Sequence, residues 1–351
     1  MPPVIESEQT ESSNLDHQLW QGLIEDFGAL GGTLENVAPR LTRTGLALIS
    51  ENPAHSVVLR APRNLLFRPE DMVLEGGHVR IGATTEQNQH ERAFFERYLA
   101  AVAWTGAGGA SCARLIDLFD QLDPGLRTRL AEEFGMNRFI EGPRETRILR
   151  LFVSGRTVGL RGESLFAPFI DLMKRGNRGL HASAGPQGGV EIRGEAEGPL
   201  FLAFGHHDTL GVFRKYGGER PRPHAFSLAT QFKVGPLELA VQRDPLTSIQ
   251  RSGMRMPQLR LESGTIHLSH VMLGNLRFPR TPRAIFRALM REAEVGHSDA
   301  IFDRILYFNR TRFLSLLEAL EPHSGELVTR LRRVALFQLA ALAECTGARE
   351  L

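Results

Sequence analysis

The sequence predicts an α+β protein in which β-rich and helical blocks follow one another along the chain. Short apolar stretches separated by Pro, Gly and Asn fill residues 33–81, a pattern typical of short strands. Apolar residues spaced three and four apart dominate residues 88–151 and 282–344, which predicts helices. Because strands and helices form separate blocks, a doubly wound nucleotide-binding fold is disfavoured.

The first elements are a tail and a helix. Residues 1–14 are polar and rich in Ser and Thr, so we expect a disordered tail. An amphipathic helix is expected over residues 15–30, where two glycines end it. The strands expected next are residues 37–38, 45–49, 56–59, 65–67, 72–74 and 79–81.

Helices and a second β-rich block occupy the middle of the chain. Helices are expected over residues 90–104, 112–122, 125–134 and 145–153, and strands over residues 190–192, 200–204, 226–228 and 237–241. The glycine-rich segment 185–189 lacks the Lys-Ser/Thr of a phosphate loop, so it predicts a hairpin loop.

Helices at residues 282–294, 299–320 and 325–344 complete the pattern. The predicted segments are a tail and leading helix (1–30), a first β part (31–87), a helical insert (88–150), a second β part (151–242) and a helical C-terminal lobe (243–351).

Composition excludes several classes of protein. Hydrophobic residues make up 42% and charged residues 23% of the 351 residues, which is typical of a soluble globular chain. No apolar run is long enough to span a membrane, and the N-terminus lacks the pattern of a signal peptide. Two cysteines, Cys112 and Cys345, exclude a disulfide scaffold and a Cys-based zinc site. We therefore expect a cytoplasmic protein.

The charge balance gives no sign of nucleic-acid binding. The formal net charge is +2, from 42 basic and 40 acidic residues. Only Lys174, Lys215 and Lys233 are lysines, which fits the codon bias of a GC-rich bacterial genome. Selection of arginine for binding phosphate or carboxylate is the alternative. The sequence leaves the oligomeric state open.

Three separated segments resemble one protein family. Arg43-Thr44-Gly45-Leu46-Ala47, followed by residues 57–62, is similar to the opening of a SET domain. Residues 165–173 resemble the run that precedes an Asn-His pair in the family, and residues 198–205 with Tyr216-Gly217 resemble its last strand and Tyr-Gly-Phe end. Their order resembles the RuBisCO large-subunit methyltransferase-like SET subfamily over about residues 30–345.

The resemblance implies a fold, an activity and a cofactor. The fold is a SET-like β core of short strands with a helical insert and a helical C-terminal lobe. The activity is transfer of a methyl group from S-adenosylmethionine to an amine of a protein or a small metabolite, with no metal. The cofactor-binding positions that it implies are Thr44, Gly45, Leu46, Ala47, Arg156, Asp171, Lys174 and Arg175.

The chain departs from the family at positions that matter for activity. Lys174 and Arg175 stand where the family has Asn-His, and Phe204 stands where it has a tyrosine at the methyl-transfer channel. The lysine and arginine are expected either to bind a carboxylate or phosphate or to be solvated. A SET-fold binding or regulatory module without methyl transfer is therefore the alternative function.

Methyl transfer to an amine needs groups that orient the amine and accept its proton. Tyr98 and Tyr307 lie in apolar helical patterns and are expected in the core. Tyr216 is thus the predicted orienting phenol, with a packing tyrosine as the alternative. His206 is a candidate proton acceptor in place of the missing tyrosine at Phe204.

Metal binding is not predicted. His206 and His207 are adjacent at the expected end of a strand, where successive side chains point to opposite faces. His267 and His270 have no cysteine or acidic residue nearby in the sequence.

Overall fold

A computed structural model describes residues 7–42, 45–75, 78–82, 87–102, 107–160, 163–176, 179–203, 207–243 and 257–344. The helices in these ranges are α1 (Ser7–Ala29), α2 (Gln89–Ala101), α3 (Ala107–Asp120), α4 (Pro124–Phe134), α5 (Arg144–Arg156), α6 (Thr209–Tyr216), α7 (Thr281–Glu292), α8 (Ser298–Leu320) and α9 (Glu326–Ala343). No helix of the described part is long and apolar enough to cross a membrane.

The strands are short, and most pair antiparallel. They are β1 (Thr33–Glu35), β2 (Val37–Thr42), β3 (Gly45–Ser50), β4 (Val57–Ala61), β5 (Met72–Glu75), β6 (His78–Ile81), β7 (Thr157–Leu160), β8 (Glu163–Phe166), β9 (Lys174–Gly176), β10 (Ala182–Ala184), β11 (Val190–Gly194), β12 (Phe201–Ala203), β13 (His224–Phe226), β14 (Thr230–Val234), β15 (Leu237–Gln242), β16 (Gln258–Glu262), β17 (Thr265–Ser269) and β18 (Met272–Asn275). The predicted α+β class is confirmed.

The chain divides into two compact units. Unit one is Met1–Ala113 with Pro143–Phe204, and unit two is Arg114–Gly142 with Gly205–Leu351. Each unit therefore combines segments that are far apart in the sequence.

Unit one contains a sheet in the order β1-β4-β11-β10 and the pairs β2-β3, β5-β6, β7-β8 and β9-β12. Its core includes Phe95 on α2, whose ring centroid lies 4.0 Å from that of Phe67 and 5.5 Å from that of Phe166. Asn88 caps α2 by accepting from the backbone N–H of Glu91 at 3.0 Å, and this cap fixes where the helix begins.

Unit two contains a sheet in the order β14-β15-β17-β16, the pair β13-β18 and the helices α4 and α6–α9. The helix α9 packs against α6, α8, β13 and β18. The rings of Phe119 and Phe139 stack with centroids 4.6 Å apart, and Phe213 of α6 lies 5.9 Å from Phe139. These aromatic contacts connect residues 114–142 to α6 within the same unit.

The predicted helices agree with the structure within a few residues, except at the start of α1. Residues 7–14, predicted as disordered, belong to α1, because nothing in this Glu- and Gln-containing stretch breaks a helix. The predicted hairpin at 185–189 is confirmed, since β10 and β11 pair antiparallel around it.

Several strand predictions need correction. Residues 65–67 are not a strand, because Pro62 is followed by a 3-10 turn at Arg63–Leu65. Strands β16–β18 lie within the segment 243–351 that was predicted as a helical lobe, and helices there begin only at Thr281. The period-two pattern of Ile266 and Leu268, both buried, suits a strand with one covered face.

Candidate cofactor site in unit one and candidate amine site in unit two

The strand β3, which begins at the predicted glycine turn, keeps part of one edge open. It pairs with β2 from Val37↔Ser50 to Thr42↔Gly45. On its other edge Leu48 C=O accepts from Leu200 N–H at 2.8 Å, and Ser50 N–H donates to Gly198 C=O at 3.0 Å. Alternation places the backbone groups of Leu46 on this same edge, where no described residue bonds to them.

The residues Arg156 and Asp171, predicted from two different motifs, meet beside β3. The 3-10 turn Ile170–Leu172 packs against β3 and carries Asp171. Arg156 Nη1 lies 3.1 Å from Asp171 Oδ2, and the Asp171 side chain is completely buried, whereas that of Arg156 is 23% exposed. The guanidinium also stacks on Phe152, with its carbon 4.4 Å from the ring centroid.

The second oxygen of the Asp171 carboxylate is held by Tyr98. The Tyr98 hydroxyl donates to Asp171 Oδ1 and accepts from the Phe169 N–H at 2.8 Å. Burial raises the pKa of Asp171, against the lowering effects of Arg156 and the Tyr98 hydrogen bond. Burial and the charge of Asp171 raise the pKa of Tyr98, so the phenol stays protonated and donates. The prediction that Tyr98 belongs to the core is confirmed.

Cys112, near Arg156, is not a nucleophile at neutral pH. Burial raises the pKa of its thiol to about 11, although Arg156 acts in the opposite direction. The thiolate is the reactive form of cysteine, so this residue stays inert.

Arg175, which stands where the sequence resemblance implies a histidine, is bound to the backbone of unit one. Its guanidinium donates to Thr157 C=O and, at 3.5 Å, to Ala203 C=O. Lys174 and Arg175 lie in β9, which pairs parallel with β12 in the register Lys174↔Phe201 and Arg175↔Leu202. Arg175 is therefore not a solvated surface charge, which was one of the two alternatives.

Three predicted site residues lie outside the described residues: Thr44, Phe204 and His206. Their roles remain predictions. Gly45 and Ala47 are placed in β3, and Ala47 is buried.

Tyr216 lies in unit two, at the C-terminal end of α6. Its ring is half-buried, and the His207 ring meets it edge-on with centroids 6.0 Å apart. Gly217 follows with φ +66°, and a Cβ there would lie 2.4 Å from Leu115 Cδ2. The Tyr-Gly pair of the motif thus has a structural reason, because this helix end requires glycine.

Asp208 anchors the start of α6 and is completely buried. Its Oδ1 accepts from Gly211 N–H at 2.7 Å and from Arg243, and its Oδ2 accepts from Phe226 N–H at 2.9 Å. Because both oxygens are engaged, Asp208 serves folding and offers no free carboxylate to a metal. The described residues contain no group of three His, Cys, Asp or Glu side chains that fits a metal ion.

A cluster of basic side chains lies beside Tyr216. Arg222 Nε donates to His207 C=O at 3.1 Å, and His224 Nε2 lies 3.1 Å from the same oxygen. Burial, together with the nearby charge of Arg277, lowers the pKa of Arg222. Burial also lowers the pKa of His224, which Asp208 raises in part.

Sequence patterns missed two residues that organise these sites. Tyr98 lies in an apolar helical pattern that gives no sign of its hydrogen bond to Asp171. Arg243 is one arginine among many, and no motif in the sequence sets it apart. Tyr307, predicted in the core, is 59% exposed, because the buried face of α8 is formed by neighbours such as Leu306 and Asn309.

The whole chain can be compared with known protein families, sequences and structures. No protein-family model matches the sequence. A protein of Aquifex aeolicus (strain VF5), described as uncharacterized, is 32% identical over 94 residues, which make up 26% of this chain and 76% of that protein.

Solved structures similar to this chain include the SET domain of LSMT bound to lysine and AdoHcy, with 12% identity, a TM-score of 0.42, and coverage of 94% of this chain and 90% of that chain. Rubisco LSMT bound to AdoMet gives 11% identity, a TM-score of 0.41, and coverage of 94% and 91%. These proteins belong to the subfamily that the sequence motifs resemble.

Proposed function

The chain belongs to the same family as the Aquifex aeolicus protein, and we propose from its own residues that it is an S-adenosylmethionine-dependent N-methyltransferase. Its substrate is an amine of a protein or of a small metabolite. The observation that carries this proposal is the convergence of three predicted cofactor residues in unit one. Arg156 pairs with Asp171, and Arg175 donates to the carbonyl of Thr157, the residue next to Arg156.

The residues present fit the cofactor's amino-acid end. The open backbone edge at Leu46 offers a C=O that can accept from an ammonium and an N–H that can donate to a carboxylate. Arg156 is partly exposed, and in the described part of the chain its only ion pair is with Asp171. A guanidinium with free donors is well suited to bind a carboxylate. We therefore assign this end of the cofactor to Leu46 and Arg156, with Asp171 orienting Arg156.

The adenine end is where this chain departs from the SET subfamily that its motifs resemble. The Arg175 guanidinium donates to the carbonyls of Thr157 and Ala203. Lys174, the preceding residue, adds a second positive charge to this segment. When bound, S-adenosylmethionine supplies a methyl group on a positively charged sulfur. Because like charges repel, we expect its demethylated product, which lacks that charge, to bind more tightly.

The amine side is assigned to unit two. A nucleophilic amine must be uncharged, so the protein must orient its lone pair and take up its proton. The Tyr216 hydroxyl is the proposed orienting group, and His206 is the proposed proton acceptor. Phe204 offers no polar atom for either task.

Calorimetric titration of the full chain with S-adenosylmethionine and S-adenosylhomocysteine tests the proposal. We expect both to bind, the second more tightly. A folded protein that binds neither ligand at millimolar concentration would contradict the enzyme proposal.

One observation favours the second candidate function, a binding or regulatory module without methyl transfer. Arg175 stands where the resemblance implies a cofactor-binding histidine, and its guanidinium donates instead to two backbone carbonyls of its own unit. Binding of S-adenosylhomocysteine without any formation of it from S-adenosylmethionine, with cell extract as the source of substrate, would favour this module.

A further inference from the structure

We infer that Tyr98, on the helical insert, is a positioning residue for the carboxylate end of the cofactor, acting through Asp171 and Arg156. The inference rests on the proposed function, because it concerns the same site. Tyr98 precedes Arg156 by 58 residues in the sequence. Its side chain is fully buried. It therefore cannot contact a ligand and can act only through its neighbours.

The first step is the hydrogen-bond chain. Tyr98 donates to one oxygen of Asp171, and the other oxygen lies 3.1 Å from Arg156 Nη1. Without the phenol, one oxygen of a fully buried carboxylate would lose its donor. Loss of a donor to a buried charged group is costly, so the carboxylate would shift or take up a proton. In either case Arg156 loses the partner that orients it.

The second step is the backbone of the turn that carries Asp171. Phe169 has φ +65° and ψ −43°, a conformation that costs a residue with a side chain on the order of 1–3 kcal/mol. The Tyr98 hydroxyl accepts the Phe169 N–H at 2.8 Å, which stabilises this conformation. A strained residue held in place beside a predicted site favours a functional role for the turn.

The third step is the packing that fixes Tyr98. The Trp20 ring of α1 meets Tyr98 edge-on at 6.1 Å, and the Phe169 ring lies 5.2 Å from it. Phe27 of α1 also lies 4.9 Å from Phe169. Aromatic rings of the leading helix thus pack against both the phenol of Tyr98 and the strained residue Phe169.

Binding of two related ligands distinguishes this role of Tyr98 from a general effect of the substitution on folding. S-adenosylhomocysteine carries the amino-acid carboxylate, whereas 5′-methylthioadenosine has the same nucleoside and sulfur but no amino-acid part. If Tyr98 acts through Arg156, Tyr98→Phe weakens binding of the first by about 10-fold or more and leaves the second unchanged. Tyr307→Phe, on the exposed face of α8, is the matched control and should change neither.

A double-mutant cycle with Arg156→Lys completes the experiment. Because both residues act on one carboxylate, the double variant should lose much less affinity for S-adenosylhomocysteine than the sum of the two single losses predicts. Should Tyr98→Phe fail to fold, Asp171→Asn replaces it, since it keeps the shape of the turn and removes the charge.

The outcomes are distinct. A wild-type protein that binds neither ligand overturns the proposed function and this inference with it. A wild-type protein that binds both, with a Tyr98→Phe variant that loses both equally or loses neither, overturns this inference alone. Selective loss of S-adenosylhomocysteine binding with non-additive energies supports it.

Discussion

Arg156 and Asp171 form an ion pair in unit one, with 3.1 Å between Nη1 and Oδ2. The carboxylate is completely buried, whereas the guanidinium is partly exposed. Asp171 therefore fixes the position of Arg156, and N–H donors of the guanidinium are accessible to a ligand. Breaking such a pair leaves an uncompensated buried charge. A conservative change is therefore the informative one.

Arg156→Lys should weaken binding of S-adenosylhomocysteine by about 10-fold or more, because a lysine keeps the charge but lacks the planar set of donors. Calorimetry measures the change. Arg63→Lys is the matched control, since Arg63 forms an exposed pair with Glu163 at 3.2 Å. Equal affinities for wild type and Arg156→Lys would remove Arg156 from the site.

Arg175→Met should lower the free energy of unfolding by about 1–3 kcal/mol, because it leaves the carbonyls of Thr157 and Ala203 without a donor. Urea unfolding measures this. Arg193→Met is the control, because Arg193 on β11 is largely exposed and its loss should cost less than about 0.5 kcal/mol. If both variants are equally stable, Arg175 is a surface charge after all.

Asp208→Ala should destabilise the protein by about 3–5 kcal/mol, because it leaves the buried charge of Arg243 without its carboxylate partner and removes the N-cap of α6. Asp123→Ala removes only the cap of α4 and should cost about 1 kcal/mol. Chemical denaturation compares the two. Equal losses would show that Asp208 does no more than cap a helix.

His224 should make stability depend on pH. Its pKa is lowered in the folded state, so the unfolded chain binds a proton more readily below about pH 6.5. The stabilisation is present above that pH and is lost as pH falls through it, by up to about 1.4 kcal/mol per pH unit. The groups that act on His224 are Asp208, Arg222, Arg277 and the His207 carbonyl.

Urea unfolding between pH 5 and 8 tests this dependence. His224→Gln should flatten the curve, while His297→Gln, at an exposed position, should leave its slope unchanged. An identical slope in the wild type and the His224 variant would assign the acid sensitivity to other groups.

Tyr216→Phe tests the amine site. Removal of an orienting hydroxyl should lower the rate by about 10–1000-fold with little effect on folding. The assay is formation of S-adenosylhomocysteine with cell extract as the source of substrate, and Tyr307→Phe is the control in the same unit. Unchanged turnover would leave Tyr216 as a packing residue.

Phe204→Tyr is the reverse change, since it introduces the tyrosine that the sequence resemblance implies at this position. It should raise turnover, or create it if the wild type is inert. If the wild type and Phe204→Tyr both bind S-adenosylhomocysteine and neither forms it, the binding-module function is the better one.

The sequence by itself predicted the α+β class, most of the helices and the motif residues that we propose for the site. The helices at 282–294, 299–320 and 325–344 follow from local periodicity, which a helix expresses within a few turns. The hairpin at 185–189 follows from its glycines in the same way. Arg156 and Asp171 are predicted as cofactor-binding residues by the resemblance of short segments to SET motifs.

Only the tertiary structure decided which of these residues meet and what holds them. The pairing of β9 with β12 joins residues 27 apart, so no local pattern reveals that Arg175 reaches the Thr157 and Ala203 carbonyls. Tyr98 looks like any core aromatic in the sequence, and its hydroxyl acquires a role only because Asp171, 73 residues away, is buried beside it. A buried polar group needs a hydrogen-bond partner. Tertiary packing determines which residue is that partner, because the partner can lie far away in the sequence.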